Sequence, residues 1–551
     1  MNTSEIFTKK NIEILKLLSQ KGFHIREIAK RCQCSPAHVT HTIRRFVHSG
    51  IVREEKIGNK LIVQLNFDNP SVSHILKLIG DSSPTESRIN IFDTISPIDY
   101  RYYGRDQRSF IEFSPYLSET GFIHYALKVE EALTKTLARR RLCSEKVAQE
   151  VSLACKKVTA FEVYAEEDRI KHNIRALANC IRNHVSEEAK PFVHFTATSH
   201  DIICSADAAR FKDFTHKVLL PYLIEFEKTL ILLALREKHT LQIGRTHGQH
   251  AEPITFGFAL AYYVSRVGKA IFDIKHTSHN LRGKIAGAVG AYNASSLFFS
   301  NPADFEREVL THIGIQPSPL STQVVESEYM TEFVHSIIQT FGILANLADD
   351  MRHLQRSEIG EVGEEFGVSQ VGSSTMPQKR NPINFENVKS LWKEFSPRMM
   401  TVYMDQISEH QRDLTNSASS RFVPEILAGF TLSVKRLNRT MSKLVVDHKN
   451  LKKNFALNRE FIIAEPLYIL LAYHRHPDAH EYVRKLTLES QKTGENVIDL
   501  LTHDPSMRPY LNKFSSYHLS ILRNPEKYIG KSIEKTERVC AEWKKKLKLR
   551  L

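Results

Sequence analysis

From about residue 96 onward, apolar residues recur every three or four positions over long stretches of the chain. This spacing places them on one face of an α-helix, and stretches of this length predict long helices that pack as a bundle. The segments with this pattern are 117–140, 145–185, 205–240, 254–284, 329–358, 384–408 and 425–445. The pattern predicts a mainly α fold whose body is a long-helix bundle.

The front of the chain carries shorter patterns. Three short helices are predicted, and Ser35-Pro36 has the form of an N-cap followed by proline at the first turn of the third. Two strand patterns, 51–56 and 61–65, then flank a turn at Gly58-Asn59. The predicted core positions of the helices are Ile12, Leu15, Leu18, Val39, Ile43 and Phe46. This order resembles a small α+β winged helix-turn-helix domain.

The polar side of the third predicted helix would enter a DNA major groove, and the hairpin would lie along the backbone. Residues 1–80 hold 13 Lys and Arg against 6 Asp and Glu, which is half of the net charge of +14. This basic balance favours DNA, although a winged helix used only for protein contact is the alternative. The DNA-binding candidates are His38, His41, Thr42 and Arg45.

A chain of 551 residues is too long for one core. The predicted organisation is a winged-helix domain at 1–78, a linker at 79–95, an N-terminal helical domain at 96–199, a central long-helix bundle at 200–454 and a C-terminal helical domain at 455–551. No signal peptide and no apolar run long enough for a bilayer are evident, which predicts a cytoplasmic protein without membrane association. The seven scattered cysteines argue against both a disulfide framework and a metal site.

Residues 372–386 read GSSTMPQKRNPINFE and form the most informative string of the chain. They follow a glycine-punctuated segment and lead into a helical pattern, which indicates a loop that closes onto a helix. Ser373, Lys379 and Asn381 supply a hydroxyl, a cation and an amide within this loop. Such a set suits removal of a carbon-bound proton beside a carboxylate, because the developing charge needs nearby donors.

Four further polar strings interrupt the helical patterns. Each places His, Arg, Ser or Thr at a helix end, where bundle enzymes assemble sites from separate helices. The strings are 97–102, 193–201, 244–253 and 410–417, with Arg421 just beyond the last. Together with 372–386 they resemble adenylosuccinate lyases of the archaeal type, within the fumarase/aspartase superfamily. The resemblance covers about residues 96–535, and the winged helix lies outside it.

The resemblance implies β-elimination of fumarate from adenylosuccinate, giving AMP, and from succinyl-aminoimidazole-carboxamide ribonucleotide in purine biosynthesis. It implies Ser373 as the base, His247 as the acid, Glu386 as the residue that orients this histidine, and Lys379 as a clamp on the succinyl carboxylate. The implied substrate-binding residues are Arg101, Tyr102, His172, His194, Thr198, Ser199, Gln323, Asn381, Arg412, Ser417 and Arg421. It also implies a homotetramer whose sites draw on three subunits, with no metal and no organic cofactor.

Several positions depart from the family pattern. Asn173 stands where Asp is usual, Thr196 where Gly is usual, and Gln378 where His or Tyr is common. Glu326-Ser327-Glu328 replaces Gln-Arg-Asp, which adds a negative charge and removes a positive one near a dianionic substrate. Two alternatives therefore remain open. One is a superfamily lyase or cycloisomerase with another substrate, and the other is a DNA-binding regulator that uses a lyase-like body as a nucleotide sensor.

Overall fold

The computed structural model describes residues 8–18, 23–57, 60–66, 69, 72, 75, 96, 98–367 and 372–550. The chain divides into two compact units, Met1–Tyr100 and Arg101–Leu551. The predicted linker at 79–95 and the predicted turn at Gly58-Asn59 lie outside the described residues.

The first unit contains the three predicted helices and the hairpin. Helices α1 (Lys9–Leu18), α2 (Ile25–Arg31) and α3 (Pro36–His48) precede the antiparallel strands β1 (Val52–Ile57) and β2 (Lys60–Leu65). The Ser35 side chain accepts the His38 N–H at 3.2 Å, so this residue is the N-cap and Pro36 opens the helix. Leu15, Leu18, Val39, Ile43 and Phe46 are buried in the core of this unit, and Ile12 packs against it half-buried.

A π-helical turn (Ile98–Gly104) includes the first residues of the second unit, which continues through helices that form a bundle. The first helices are α4 (Gln107–Leu117), α5 (Glu119–Arg139), α6 (Glu145–Lys157), α7 (Ala160–Ile170), α8 (Asn173–Asn183), α9 (Ser199–Phe214) and α10 (Leu220–Arg236). The predicted helical segment 145–185 is wrong as one element. It breaks into α6, α7 and α8 because the side chains of Thr159 and His172 cap the N-termini of α7 and α8.

The next helices of the bundle follow a β-hairpin, β3 (Leu241–Thr246) and β4 (Gln249–Thr255). They are α11 (Phe256–His279), α12 (Pro302–His312), α13 (Glu328–Leu354), α14 (Ile383–Phe395), α15 (Arg398–Met404) and α16 (Val423–Ser442). Helix α10 packs against α11 and α16, and α13 packs against α11, α14 and α16. Two short strand pairs join loops of this unit: β5 (Arg282–Gly283) with β6 (Gln316–Pro317), and β7 (Val362–Gly363) with β8 (Val445–Val446).

The C-terminal part consists of two helices of 15 residues and five shorter ones. They are α17 (His448–Leu457), α18 (Ala464–Tyr473), α19 (Ala479–Thr493), α20 (Val497–His503), α21 (Arg508–Leu511), α22 (Ser516–Arg523) and α23 (Ser532–Lys546). Helix α23 packs on α10 and α11. A Cβ atom at Gly268 would lie 2.3 Å from the Trp543 ring, so the glycine allows α23 to approach α11 closely.

All seven cysteines are free thiols, and Cys32, Cys155, Cys180 and Cys540 are buried. Burial raises the pKa of Cys180 to about 11 and that of Cys540 to about 12. Within the described residues, no cluster of His, Cys, Asp and Glu side chains could hold a metal ion. The described helices include none that is long and apolar enough to cross a membrane. The mainly α class with a small helical and hairpin front unit is confirmed.

Candidate functional site

The loop of residues 372–381 folds back on itself. The Ser373 Oγ accepts the N–H groups of Thr375 at 3.3 Å and Met376 at 3.1 Å. The Asn381 side chain donates to the Gly372 carbonyl at 3.0 Å, and a Cβ at Gly372 would lie 2.0 Å from the Lys379 carbonyl oxygen. The two ends of the loop therefore touch, and only glycine fits at position 372. Lys379 is exposed at the surface of this loop, and Ser373 is half-buried.

A buried carboxylate fixes the point where this loop enters α14. Glu364 accepts the backbone N–H groups of Asn384 at 2.8 Å and Phe385 at 2.9 Å, and the Asn384 side chain at 2.6 Å. These bonds satisfy N–H groups that would have no partner at a helix N-terminus. Glu386, on the first turn of α14, is exposed.

His247 lies at the tip of the β3–β4 hairpin. The turn consists of His247 and Gly248, with φ of +53° and +76°, between the paired residues Thr246 and Gln249. A two-residue turn with positive φ at both positions matches the twist of the flanking strands. The imidazole is exposed. The turn geometry therefore leaves the His247 side chain accessible to a ligand at the tip of the hairpin.

The base of the same hairpin is fixed by Glu361, whose side chain is completely buried. It forms an ion pair with Arg245 and accepts hydrogen bonds from Gln242 at 2.8 Å and Asn454 at 2.9 Å. Both carboxylate oxygens are thus satisfied, as a buried charge requires. These bonds hold the hairpin against the bundle, and the residues of its tip, 246–249, are exposed.

His194 pairs with a buried glutamate that the sequence analysis missed. Its Nδ1 lies 2.6 Å from Glu130 Oε1, and its backbone N–H donates to Glu130 Oε2 at 3.1 Å. The Glu130 side chain is completely buried on α5. Burial lowers the pKa of His194, but the charge and hydrogen bond of Glu130 outweigh it, and the net pKa is raised. The pair favours a cationic imidazole whose Nε2 is not engaged by Glu130.

A second buried pair organises the start of α9. Asp201 forms an ion pair with Lys284, and both side chains are completely inaccessible to solvent. Asp201 also accepts the N–H groups of Thr198 at 2.8 Å and Ala286 at 3.1 Å. Thr198 and Ser199 are therefore held at a helix start that is tied to the loop after β5, and both residues are half-buried.

Three predicted substrate-binding segments meet beside α9. The Gln323 N–H donates to the Gln411 carbonyl at 3.3 Å, which joins their two loops. Burial, followed by the positive charges of Arg412 and Lys284, lowers the pKa of His200 to about 4. Arg412 is hydrogen-bonded to Asn416, and its buried Nε has no partner in the described structure. His200 is thus a neutral member of a group of cations and amides.

The remaining predicted residues lie at other places on the same unit. The Tyr102 hydroxyl accepts the Asn387 side-chain N–H at 3.3 Å, next to the exposed Arg101. His172 is exposed, and its Nδ1 accepts the Arg175 N–H at 3.3 Å. Ser417 and Arg421 are exposed near the start of α16.

Within one chain, the described hydrogen bonds and ion pairs do not join the Ser373 loop, the His247 turn and the His194 pair to one another. These predicted residues therefore fall into groups that no described hydrogen bond or ion pair links directly. The residues that position them are buried carboxylates: Glu130, Asp201, Glu361 and Glu364. Asp201 lies within the polar string 193–201, whereas Glu130 was visible only as a carboxylate within an apolar helical pattern.

The departures from the family pattern have structural counterparts. Thr196 has φ of +63°, in the left-handed region that glycine adopts readily, and its buried Oγ1 has no partner in the described structure. Glu326 is exposed, and its carboxylate accepts the Ser318 hydroxyl at 2.5 Å. Its charge is therefore directed toward the loop of residues 318–326.

On the first unit, Thr42 departs from its predicted position. It is buried, and its hydroxyl donates to the Asn11 side chain at 3.4 Å, so it cannot read DNA bases. The helical turn places position 42 beside Val39 and Phe46 rather than on the outer face. His38, His41 and Arg44 are exposed on that face, and Arg45 is half-buried.

The fold is that of solved enzymes with long-helix bundles. The structure is similar to a 3-carboxy-cis,cis-muconate lactonizing enzyme from Pseudomonas putida, with a TM-score of 0.69 and 20% identity, covering 82% of this chain and 100% of that one. It is also similar to a fumarate lyase from Mesorhizobium, with a TM-score of 0.68 and 21% identity, covering 78% and 97%. A protein-family model described as "Lyase" matches residues 84–393. The chain therefore belongs to the lyase superfamily that this model describes, and its second unit has the fold of the fumarase superfamily.

Sequence comparisons narrow this class. A model described as "Adenylosuccinate lyase C-terminal" matches residues 408–515, and one described as "Homeodomain-like domain" matches residues 7–53. The chain is 32% identical to an adenylosuccinate lyase from Pyrococcus abyssi over 451 residues, covering 81% of this chain and 97% of the relative. It is 31% identical to one from Archaeoglobus fulgidus, covering 81% and 98%. The chain belongs to the adenylosuccinate lyase family.

Proposed function

We propose that the chain is an adenylosuccinate lyase that releases fumarate from adenylosuccinate, giving AMP, and from succinyl-aminoimidazole-carboxamide ribonucleotide. The observation that carries this proposal is that the chain has all the residues implied as base, acid and carboxylate clamp, and that they lie on surface loops. These loops belong to a body that aligns with adenylosuccinate lyases over nearly their full length.

The reaction needs a base, an oxyanion clamp and an acid. Ser373 takes the proton from the carbon beside one succinyl carboxylate, the electron pair forms the new double bond, and the C–N bond breaks. His247 gives its proton to the departing nitrogen. The two N–H groups that Ser373 already accepts support this role, since such bonds favour the charged form of the oxygen.

Lys379 and Asn381 hold the succinyl carboxylate while it carries the extra charge of the aci-anion. The exposed ammonium of Lys379 is available for this, whereas Asn381 uses one N–H on the Gly372 carbonyl and retains the rest of its amide. Glu130 raises the pKa of His194, which favours a positive charge on this imidazole and suits a dianionic substrate. Arg101, Arg412 and Arg421 suit the phosphate, because guanidinium groups bind phosphate oxygens in a bidentate manner.

The lack of a described bond between the Ser373 loop, the His247 turn and the His194 pair supports a homotetramer with sites shared between subunits. A symmetric oligomer brings different faces of identical chains together. The exposed apolar side chains of Met400, Met404 and Ile407, which are 57%, 65% and 79% exposed, offer a surface for such contact. Mixing Ser373→Ala subunits with His247→Ala subunits would restore partial activity if sites are shared, and would leave both variants inactive if each chain holds a complete site.

The test of the function is an absorbance assay with adenylosuccinate. The wild-type protein should form AMP and fumarate, and Ser373→Ala should lose at least about a thousand-fold in kcat, because a removed base is worth about 10²–10⁴-fold and the alkoxide site is lost too. Ser374→Ala is the matched control, since this neighbouring serine is exposed and should retain activity. No turnover by the wild-type protein would contradict the proposal.

A second candidate is a DNA-binding regulator that uses the lyase body as a nucleotide sensor. The observation that favours it is the helix-turn-helix unit with His38, His41 and Arg44 exposed on one face of α3. Exposed Glu54 and Glu55 on β1 oppose contact of the hairpin with phosphates. Duplex binding that falls with salt and is lost in Arg44→Glu would support this candidate. Turnover of adenylosuccinate with no DNA binding would exclude it.

A further inference from the structure

A half-buried arginine outside the predicted site faces the N-terminal turn of α14. Arg436 on α16 donates one hydrogen bond, from its guanidinium to the Asn384 side-chain oxygen at 3.0 Å. A guanidinium carries five N–H donors, so most of its capacity is unused. Within the described residues, Arg436 forms no ion pair.

The Glu364 carboxylate does not form an ion pair with Arg436. Glu364 influences it electrostatically, but both Glu364 oxygens are already occupied by Asn384 and Phe385. Burial, followed by the positive charge of Arg439, lowers the pKa of Arg436. A cation held in this way costs stability unless an anion binds beside it.

The groups around Arg436 are suited to a phosphorylated ligand with a hydroxyl. Tyr102 lies near enough to interact electrostatically with Arg436, and its hydroxyl accepts from Asn387. The Asn387 Oδ1 is buried and has no donor among the described residues. A phosphate would take the unused guanidinium donors, and a neighbouring sugar hydroxyl would satisfy the amide oxygen.

We propose that Arg436 and Asn387 form an anion subsite that extends the predicted Arg101 and Tyr102 clamp along the N-terminal turns of α14 toward Arg436 on α16. The ligand class is a sugar phosphate, with the phosphate on Arg436 and a hydroxyl on Asn387. This assignment rests on the nucleotide substrate proposed above, although it concerns binding rather than elimination. Neither residue is among those that the family resemblance implies.

The experiment measures AMP binding to the full-length protein by calorimetry, alongside kcat and KM for adenylosuccinate. Arg436→Met should weaken AMP binding about ten- to a hundred-fold, as expected for a charged hydrogen bond. KM should rise while kcat changes little, because the subsite lies away from the reacting atoms. Arg439→Met is the matched control, because Arg439 is exposed three residues away on the same helix and its substitution removes the same charge.

Three results would overturn the proposal. They are unchanged AMP affinity in Arg436→Met, an equal loss in Arg439→Met, and a lower melting temperature of ligand-free Arg436→Met, which would assign the arginine a structural role. If Arg436→Met does not fold, Asn387→Asp provides the same test, because its carboxylate should repel the phosphate. AMP binding that depends on Arg436 in a protein without turnover would support the subsite and reject the proposed reaction. Displacement of AMP by millimolar inorganic phosphate, with no preference of the site for AMP, would show that the site binds a free anion. That result would overturn the proposed hydroxyl contact.

Discussion

Thr196 offers a direct test of the structure, because two unfavourable features coincide at one residue. Its φ of +63° lies in the left-handed region, and its buried hydroxyl has no partner in the described structure. A β-branched residue is an outlier at such a φ, since its side chain crowds the backbone. Thr196→Gly should therefore stabilise the protein.

The expected gain follows from three contributions. Relief of left-handed strain contributes about 1–2 kcal/mol, and removal of a buried unsatisfied hydroxyl contributes about 1–3 kcal/mol. The additional freedom of glycine in the unfolded chain opposes this by about 0.5–1 kcal/mol. The net gain for Thr196→Gly is about 1–4 kcal/mol.

Thr196→Val separates the two causes. Valine has the shape of threonine without the hydroxyl, so it keeps the strain and should recover only the hydroxyl contribution. Thermal melting followed by fluorescence provides the assay. Because a chain with two units need not unfold in one step, the ranking of melting temperatures is the observable. The expected order is glycine above valine above the wild-type protein.

Two results would refute the reasoning. A valine variant no more stable than the wild-type protein would mean that the Thr196 hydroxyl has a partner. A glycine variant less stable than the valine variant would mean that position 196 is not strained, because glycine would then only add freedom to the unfolded chain.

Three further predictions concern buried or paired carboxyl groups. Burial raises the pKa of Glu227 far above its ordinary value, and neither carboxyl oxygen has a partner in the described structure. Glu227→Met should therefore stabilise the protein by about 1–3 kcal/mol in thermal melting, and the gain should grow as the pH is raised. Asp201→Asn should destabilise by about 3–5 kcal/mol because it leaves Lys284 buried and unpaired, and adding Lys284→Met should recover most of the loss in urea unfolding. A hydrogen bond with Glu465 raises the pKa of Glu252, so the folded state binds the Glu252 proton more tightly than the unfolded chain does. This proton therefore stabilises the fold at low pH, and the stabilisation is lost as the pH rises through the raised pKa of Glu252. Glu252→Gln keeps a donor at every pH, so its melting temperature should match the wild-type value near pH 4 and exceed it near pH 8; a constant difference would contradict the shared proton.

The helical periodicity was sufficient for the bundle because its core positions are determined by local spacing. It failed in the segment 145–185, since the caps at Thr159 and His172 interrupt an apolar pattern that continues through them. Thr42 was misplaced for a related reason: a small polar residue can occupy an inward position when a partner such as Asn11 accepts its hydroxyl.

For the candidate site, the sequence predicted only those residues that lie within short, recognisable strings. The residue types at Ser373 and His247 were evident, but the partners that orient the site were not. Glu130 is 64 residues before His194 in the chain, and only the tertiary fold brings their side chains within 2.6 Å. The positive φ values at His194 and Thr196 likewise arise from the fold rather than from any local sequence preference.

The buried free thiols can be used to follow the unfolding of this chain. Cys32 lies in the core of the first unit, and Cys540 lies on α23 where that helix packs in the second unit, with exposures of only 6% and 1%. A thiol that is buried and protonated reacts with alkylating reagents only when its surroundings open. Mass spectrometry of alkylated peptides would therefore follow the opening of the two units independently, in the unmodified sequence.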